Sequence, residues 1–416
     1  MRYLLFLALC FVVFSCKDNS KKATETLTEE PENTVHIFQN PSIENSQLPR
    51  LFSDDNHLFM SWVTRADSLD VLNYSEFSED TWSDSNTIAS GADWFTNWAD
   101  FPAIANNNGN ILANYLQKSA TGTYTYDVKL SLYSNEKQQW KNNFILHDDG
   151  TQSEHGFVSI LPFKEQDFFV TWLDGRNTAG GHESHDAHGS GGAMTLRGAF
   201  VSSEGDIYGD LQLDERVCDC CQTGAAMTAS GPVVVYRDRS EAEVRDISIV
   251  RYVENEGWTS PQSVCKDNWK IEGCPVNGPS IDAIENDVVV AWFSEVKGTP
   301  KVQISFSEDG GATFGLPVRV DSNETLGRVG VVLLDPKTAA VCWLENKGDD
   351  TLIQVRSVES SGMLGDVMTI SQTSSERASG FPQLALMDDT LVAAWTSISE
   401  GEQTQIKTAQ IKVESL

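Results

Sequence analysis

Basic side chains are scarce in this chain. Lysine and arginine together number 30 against 60 aspartates and glutamates, so the formal charge is -30. Such a surface repels phosphate. That excludes nucleic acid as a partner and argues against adsorption to anionic lipid. Long apolar runs are lacking too. The one continuous run, Leu4 to Val13, falls short of the roughly 20 residues that a membrane-spanning helix needs. Beyond it no segment places apolar residues at helical spacing, so the chain reads as all-β. Tyrosine stops at Tyr252, and histidine numbers only seven.

The N-terminus reads as an export signal, with Arg2 ahead of the apolar run. Val13-Phe14-Ser15-Cys16 puts a small residue directly before a cysteine. It resembles the lipobox of bacterial lipoproteins. The resemblance implies a signal peptide over 1–15 and lipidation of Cys16, the new N-terminus. An ordinary signal peptide with a chance cysteine is the alternative. Residues 16–33 are polar and without periodicity, as a flexible tether would be. Lys17, rather than an aspartate, follows Cys16, which points to the outer membrane. The expected protein is exported, held to the membrane by a lipid anchor only, and free to keep disulfides.

From residue 34 onward a β unit repeats. An apolar pair near Pro or Gly is followed by an apolar strand ending in Trp or Tyr, then a polar hairpin, an alternating strand and a last strand. The anchors are Trp62, Tyr115, Trp172, Tyr236, Trp292, Trp343 and Trp395, at intervals of 53, 57, 64, 56, 51 and 52 residues. Self-similarity at this period predicts a β-propeller over 34–416. Seven four-stranded blades are expected, with six, or an array of β-sandwiches, as alternatives. The last unit has only three strands, ending at Ile411-Lys412-Val413. Thr34 to Phe38 would supply its outer strand and close the ring, leaving no open sheet edge.

Ser307-Glu308-Asp309-Gly310-Gly311-Ala312-Thr313-Phe314 matches the Asp-box pattern in Ser307, Asp309, Gly311, Thr313 and Phe314. The aspartate would cap turn N–H groups, the glycine take positive φ, and the aromatic pack the hairpin onto its blade. With this box and the repeat, the whole mature domain resembles the sialidase-like (BNR-repeat) β-propeller superfamily. The resemblance implies a glycan bound or hydrolysed in the central funnel. The sialidase catalytic set is poorly matched. Leu48-Pro49-Arg50-Leu51 stands where an aromatic-Arg-Ile-Pro motif is expected, and the late-blade Tyr nucleophile is missing. Exo-sialidase activity is therefore not expected.

In a propeller the loops entering each first strand and the hairpins after each second strand share one face. Sorting by that rule gathers the unusual residues. Asp174, Asp238, Glu295 and Glu345 are the candidate catalytic carboxylates, since a glycosidase needs two facing each other. Trp94 and Trp269, with Trp98, are candidates for stacking on a sugar. Arg176, Arg237, Arg239, Asn277, Arg328 and Arg377 are candidates for fixing it. The competing reading is that the Arg–Asp pairs brace loops.

Cys218, Cys220 and Cys221 fall in the entry loop of the fourth unit, and Cys265 and Cys274 in that of the fifth. In an exported protein they read as disulfides pinning two loops, or, with one left over, as a metal set. Cys342 reads as a buried apolar residue. Gly181-His182-Glu183-Ser184-His185-Asp186-Ala187-His188 offers His182, His185 and His188 as ligands for Zn or Cu. A neutral Gly/His insertion has the same appearance. A non-catalytic propeller that binds metal or a protein through this face is thus the alternative function.

Overall fold

The computed structural model describes residues 35–54, 57–178, 192–322, 324–399 and 403–416. The 1–15 signal, the 16–33 tether, Cys16, and His182, His185 and His188 lie outside them. Val35–Leu416 forms one unit of seven antiparallel sheets, a seven-bladed propeller. The only helical turns among the described residues are two of 3-10 type, Arg377–Ser379 and Val413–Ser415.

The blades follow chain order. The inner strands are Ser46–Ser53, Ile104–Asn107, His155–Phe163, Gly224–Thr228, Ser280–Ile284, Glu324–Asp335 and Gln383–Met387. Each pairs with the strand that follows it, and that strand with the third. The seventh blade ends with Thr404–Lys412, and Val35–Phe38 joins it as the fourth strand. Val35 pairs with Ile411 and Phe38 with Thr408. Phe38 also reaches the first blade, stacking on Trp82 with ring centroids 6.3 Å apart. The closing strand therefore ties the two ends of the ring together.

The anchors explain why each blade forms. All seven lie in second strands, which have neighbours on both sides, and none is more than 5% exposed. Each buries roughly 150–250 Å², on the order of 5 kcal/mol of gross transfer free energy. An indole so deep needs an acceptor for its N–H. Trp172 donates to Asp174 at 2.9 Å, Trp292 to Asp267 at 2.7 Å and Trp343 to Glu345 at 2.9 Å. Asp174 and Glu345 stand two residues beyond their own indoles, at the ends of the same strands, while Asp267 comes from the loop entering its blade.

The hairpin at 307–314 shows its local chemistry directly. Asp309 accepts from the Thr313 N–H and hydroxyl at 2.8 and 2.7 Å, and Ser307 Oγ accepts from Gly311 N at 2.9 Å. Gly310 and Gly311 take φ of 66° and 82°. Phe314 packs against the core shared by the fourth and fifth blades.

Candidate functional site

The face formed by inner-strand starts and second-strand ends is built on repeated backbone bulges. Leu48, Phe157 and Arg328 all have φ between 53° and 59° at register shifts opening the first, third and sixth blades. A side chain from elsewhere in the ring clamps each bulged N–H. Thr396 Oγ1 holds Leu48 at 3.1 Å, Asp100 Oδ1 holds Phe157 at 2.6 Å and Asn277 Oδ1 holds Arg328 at 2.7 Å. Preceding glycines make room for two of these clamps. A Cβ on Gly156 would sit 2.0 Å from Asp100 Oδ2, and one on Gly327 2.4 Å from Asn277 Oδ1. Asn277, expected to hold ligand, is a blade-to-blade clamp.

Most of the arginines expected to hold ligand are committed in the same way. Arg237 is 2% exposed. It donates to the carbonyls of Asn277, Arg245 and Phe293 at 2.7–3.0 Å. Its guanidinium lies 4.8 Å from the centroid of Trp269, itself 4% exposed. Arg328 bonds the carbonyls of Ser375, Glu376 and Gly380 and the Ser379 hydroxyl, and covers Trp98. Arg239 pairs with Asp219 and Glu243, and Arg176 with Asp174. Trp94 is half-buried and stacks on Tyr115 at 4.3 Å. Arg377 differs: it is exposed, and among the described residues its side chain makes no hydrogen bond or ion pair.

The four candidate carboxylates have separate duties. Asp174 accepts from Trp172 and Arg176 and lies 3.7 Å from His155 Nε2. Burial alone would raise its pKa, but the Arg176 bonds and His155 hold it below the ordinary value. Glu345 is buried and accepts from Trp343 and from Ser322 N. Asp238 accepts from Arg239 N and Ser248 Oγ, while Glu295 is exposed in its hairpin. Asp174 and Glu345 are therefore fully engaged as acceptors within their own blades.

Two clusters of entry-loop residues stand out, and the sorting by loops reaches all of their members except Tyr126. Tyr126 donates to Glu154 at 2.6 Å and contacts Asp100 at 3.3 Å. Burial pushes Asp100 up to about 7 and Glu154 up to about 8, so Glu154 is largely a neutral acid at neutral pH. Beside them His147 and His155 stack at 3.6 Å, and both contact Asp149 Oδ2, at 3.0 and 3.1 Å. Burial, then the neighbouring His155, lowers His147 to about 4. Tyr126 carried no sequence signal, because an alternating strand is its ordinary setting.

The cysteine loops meet. Cys218 Sγ lies 3.5 Å from Cys221 Sγ and 3.9 Å from Cys220 Sγ. Cys274, in the next loop, lies within electrostatic reach of Cys220 and Cys218. Arg245 Nη1 donates to Cys218 Sγ at 3.2 Å. Cys265 stands apart, near Asp267, Lys301 and Asp246. Cys342 is buried in the sixth blade. The cysteines among the described residues are free thiols. The channel inside the ring holds a cavity of about 80 Å³, room for several waters.

No protein-family profile matches the chain. No curated protein matches it either. Among solved structures it is similar to a protein of unknown function from Dyadobacter fermentans. That alignment has a TM-score of 0.52 and 10% identity, covering 91% of this chain and 99% of that one. It is also similar to the phage phi92 endosialidase, with a TM-score of 0.51 and 8% identity, over 91% of this chain and 69% of that one. A mutant of NanB sialidase from Streptococcus pneumoniae aligns at a TM-score of 0.46 and 9% identity, over 92% and 95%. At such identities the likeness is one of fold. The chain has the sialidase-like β-propeller fold.

Proposed function

We propose that the open face binds an acidic glycan, with Arg377 taking its carboxylate. The observation that carries this is the unengaged guanidinium of Arg377. On a chain of net charge -30, an exposed arginine with no acidic neighbour bonded to it is a site for an anion that comes from outside. Its surroundings suit a sugar acid. Tyr124 lies within electrostatic reach of Arg377 and Glu154, and a neutral Glu154 can donate to a sugar oxygen without repelling a carboxylate. An Arg–carboxylate pair adds planar, bidentate specificity that lysine cannot match. The fold shared with sialidases supports the reading at the level of architecture only.

Binding is the activity proposed, not hydrolysis, because Asp174 and Glu345 are spent on indoles and arginine. A glycan array carrying sialylated, uronic-acid and neutral glycans tests it. Acidic glycans should bind, and Arg377→Ala should weaken them about tenfold or more, the worth of a charge-assisted hydrogen bond. Equal binding of neutral glycans, or acidic binding untouched by Arg377→Ala, would refute the proposal. We propose separately, from the lipobox resemblance, that the protein is held in the cell envelope by a lipid on Cys16. Fatty-acid labelling that persists in Cys16→Ser would rule that out.

A further inference from the structure

The thiol cluster is left unused by this reading, and its geometry is specific. A disulfide brings two sulfurs to about 2.05 Å. The separations from Cys218 Sγ are 3.5 Å to Cys221 and 3.9 Å to Cys220. A tetrahedral ion with metal–sulfur bonds of about 2.3 Å needs sulfur–sulfur edges of about 3.8 Å. The two separations bracket that edge. Ligand atoms of Cys218, Cys220 and Cys221 all lie within 4.8 Å of one another.

We infer that Cys218, Cys220 and Cys221 form the core of an all-sulfur site for a thiophilic d10 cation, Cu(I) or Zn(II), completed by Cys274 from the following loop. Three observations converge on it. The first is the edge length just given. The second is charge. Arg245 is fully buried, donates to Cys218 Sγ at 3.2 Å and is neutralised on its other side by Glu243 at 2.8 Å. A buried guanidinium aimed at sulfur stabilises a thiolate, the form that binds metal.

The third observation is preorganisation. Cys274 belongs to the following entry loop, and the two loops are fixed to each other independently of sulfur. Gln222 Oε1 accepts from Gly278 N at 3.0 Å, and Gln222 Nε2 reaches Ala99 O at 2.6 Å. Gly278 lies so close to Gln222 that a Cβ there would meet its carbonyl at 2.2 Å. The backbone thus holds the two loops together before any ion arrives, which lowers the ordering cost of adding Cys274 to the group of three sulfurs. The donor set selects the ion class. Neither nitrogen nor carboxylate belongs to it, and thiolates alone favour Cu(I) or Zn(II) over hard cations. Cys218 and Cys221 are buried while Cys274 is exposed, so the ion would enter from the Cys274 side.

The test uses the mature chain without a histidine tag, reduced and handled without oxygen. It is titrated with Zn(II) and with Cu(I), each against a chromogenic chelator. One ion per chain is expected. Cys218→Ser and Cys221→Ser should abolish binding, Cys274→Ser should weaken it about tenfold or more, and Cys265→Ser should bind as wild type. X-ray absorption on the loaded wild type keeps the test independent of variant folding. A sulfur-only shell near 2.3 Å is expected. A nitrogen or oxygen shell, a loss in Cys265→Ser equal to that in Cys221→Ser, or no stoichiometric uptake of either ion would overturn the inference. Because Arg377 is not a ligand, Arg377→Ala should leave the titration unchanged, so failure here and failure of the glycan reading are told apart.

Discussion

Replacing Arg237 with methionine tests whether the arginines of this face are braces or ligand contacts. Methionine keeps the unbranched stem and removes every donor. Four N–H···O contacts to three buried carbonyls disappear. So does the contact over Trp269. Leaving a buried acceptor unmade costs about 1–3 kcal/mol, and methionine recovers some apolar burial, so a net loss near 4 kcal/mol is expected. For the roughly 380 residues of the propeller the unfolding entropy is about 0.8 kcal/mol/K, so Tm should fall by about 5 °C. Calorimetry in the presence of a chelator measures this without any contribution from a bound ion. Arg377→Met is the matched control and should leave Tm within about 1 °C, as an exposed unbonded side chain does. If Arg237→Met melted with wild type, the bracing role would be wrong and Arg237 would return as a ligand contact.

Three other outcomes follow from particular contacts. Trp343→Phe removes the indole that donates to Glu345, leaves Oε2 with the longer Ser322 N–H bond and shrinks a buried ring, and should cost about 2–4 kcal/mol, measurable as a shift of the urea midpoint. Asp309→Ala removes the acceptor for the Thr313 N–H and hydroxyl. It should lower stability by about 1 kcal/mol while leaving glycan and metal binding unchanged. The third concerns pH. Asp282 accepts from Leu333 N and Ala283 N, and burial raises it to about 6. A carboxyl raised above its unfolded value of about 4 contributes stability that is complete below that pH and is lost as pH rises through about 6. Asp282→Asn should therefore flatten the stability profile between about pH 4 and 6, as read from urea midpoints across that range.

The scaffold was legible because its signals are local. An aromatic at the end of an apolar strand, repeated at intervals of 51 to 64 residues, reports a core position in every blade. All seven anchors lie in second strands of the ring. Closure by the N-terminal strand was legible from a deficit, since the last unit lacked its fourth strand, and Val35–Phe38 supplies it. Less legible were the outer strands of the fourth and fifth blades, which shrink to pairs such as Val318–Arg319. A strand of two residues has no period to read.

The face was harder to read, and the reason is physical. A ring of seven sheets leaves strand ends whose carbonyls and N–H groups must be satisfied. Arginine, asparagine and aspartate are the side chains best able to reach across a blade gap and do so. They are also the side chains that recognise sugars and anions. Residue type and topological position therefore cannot separate Arg237 from Arg377, although both point to the same face by the strand rule. What separates them is the count of donors already used. Arg237 spends its guanidinium on three carbonyls, while Arg377 spends none of its own. The cysteines differ again, because sulfur has little use as a backbone brace. Arg245 donates to Cys218 beside two other thiols and is held on its other side by Glu243, and it is the donation to sulfur that sets it apart from the arginines that bond carbonyls.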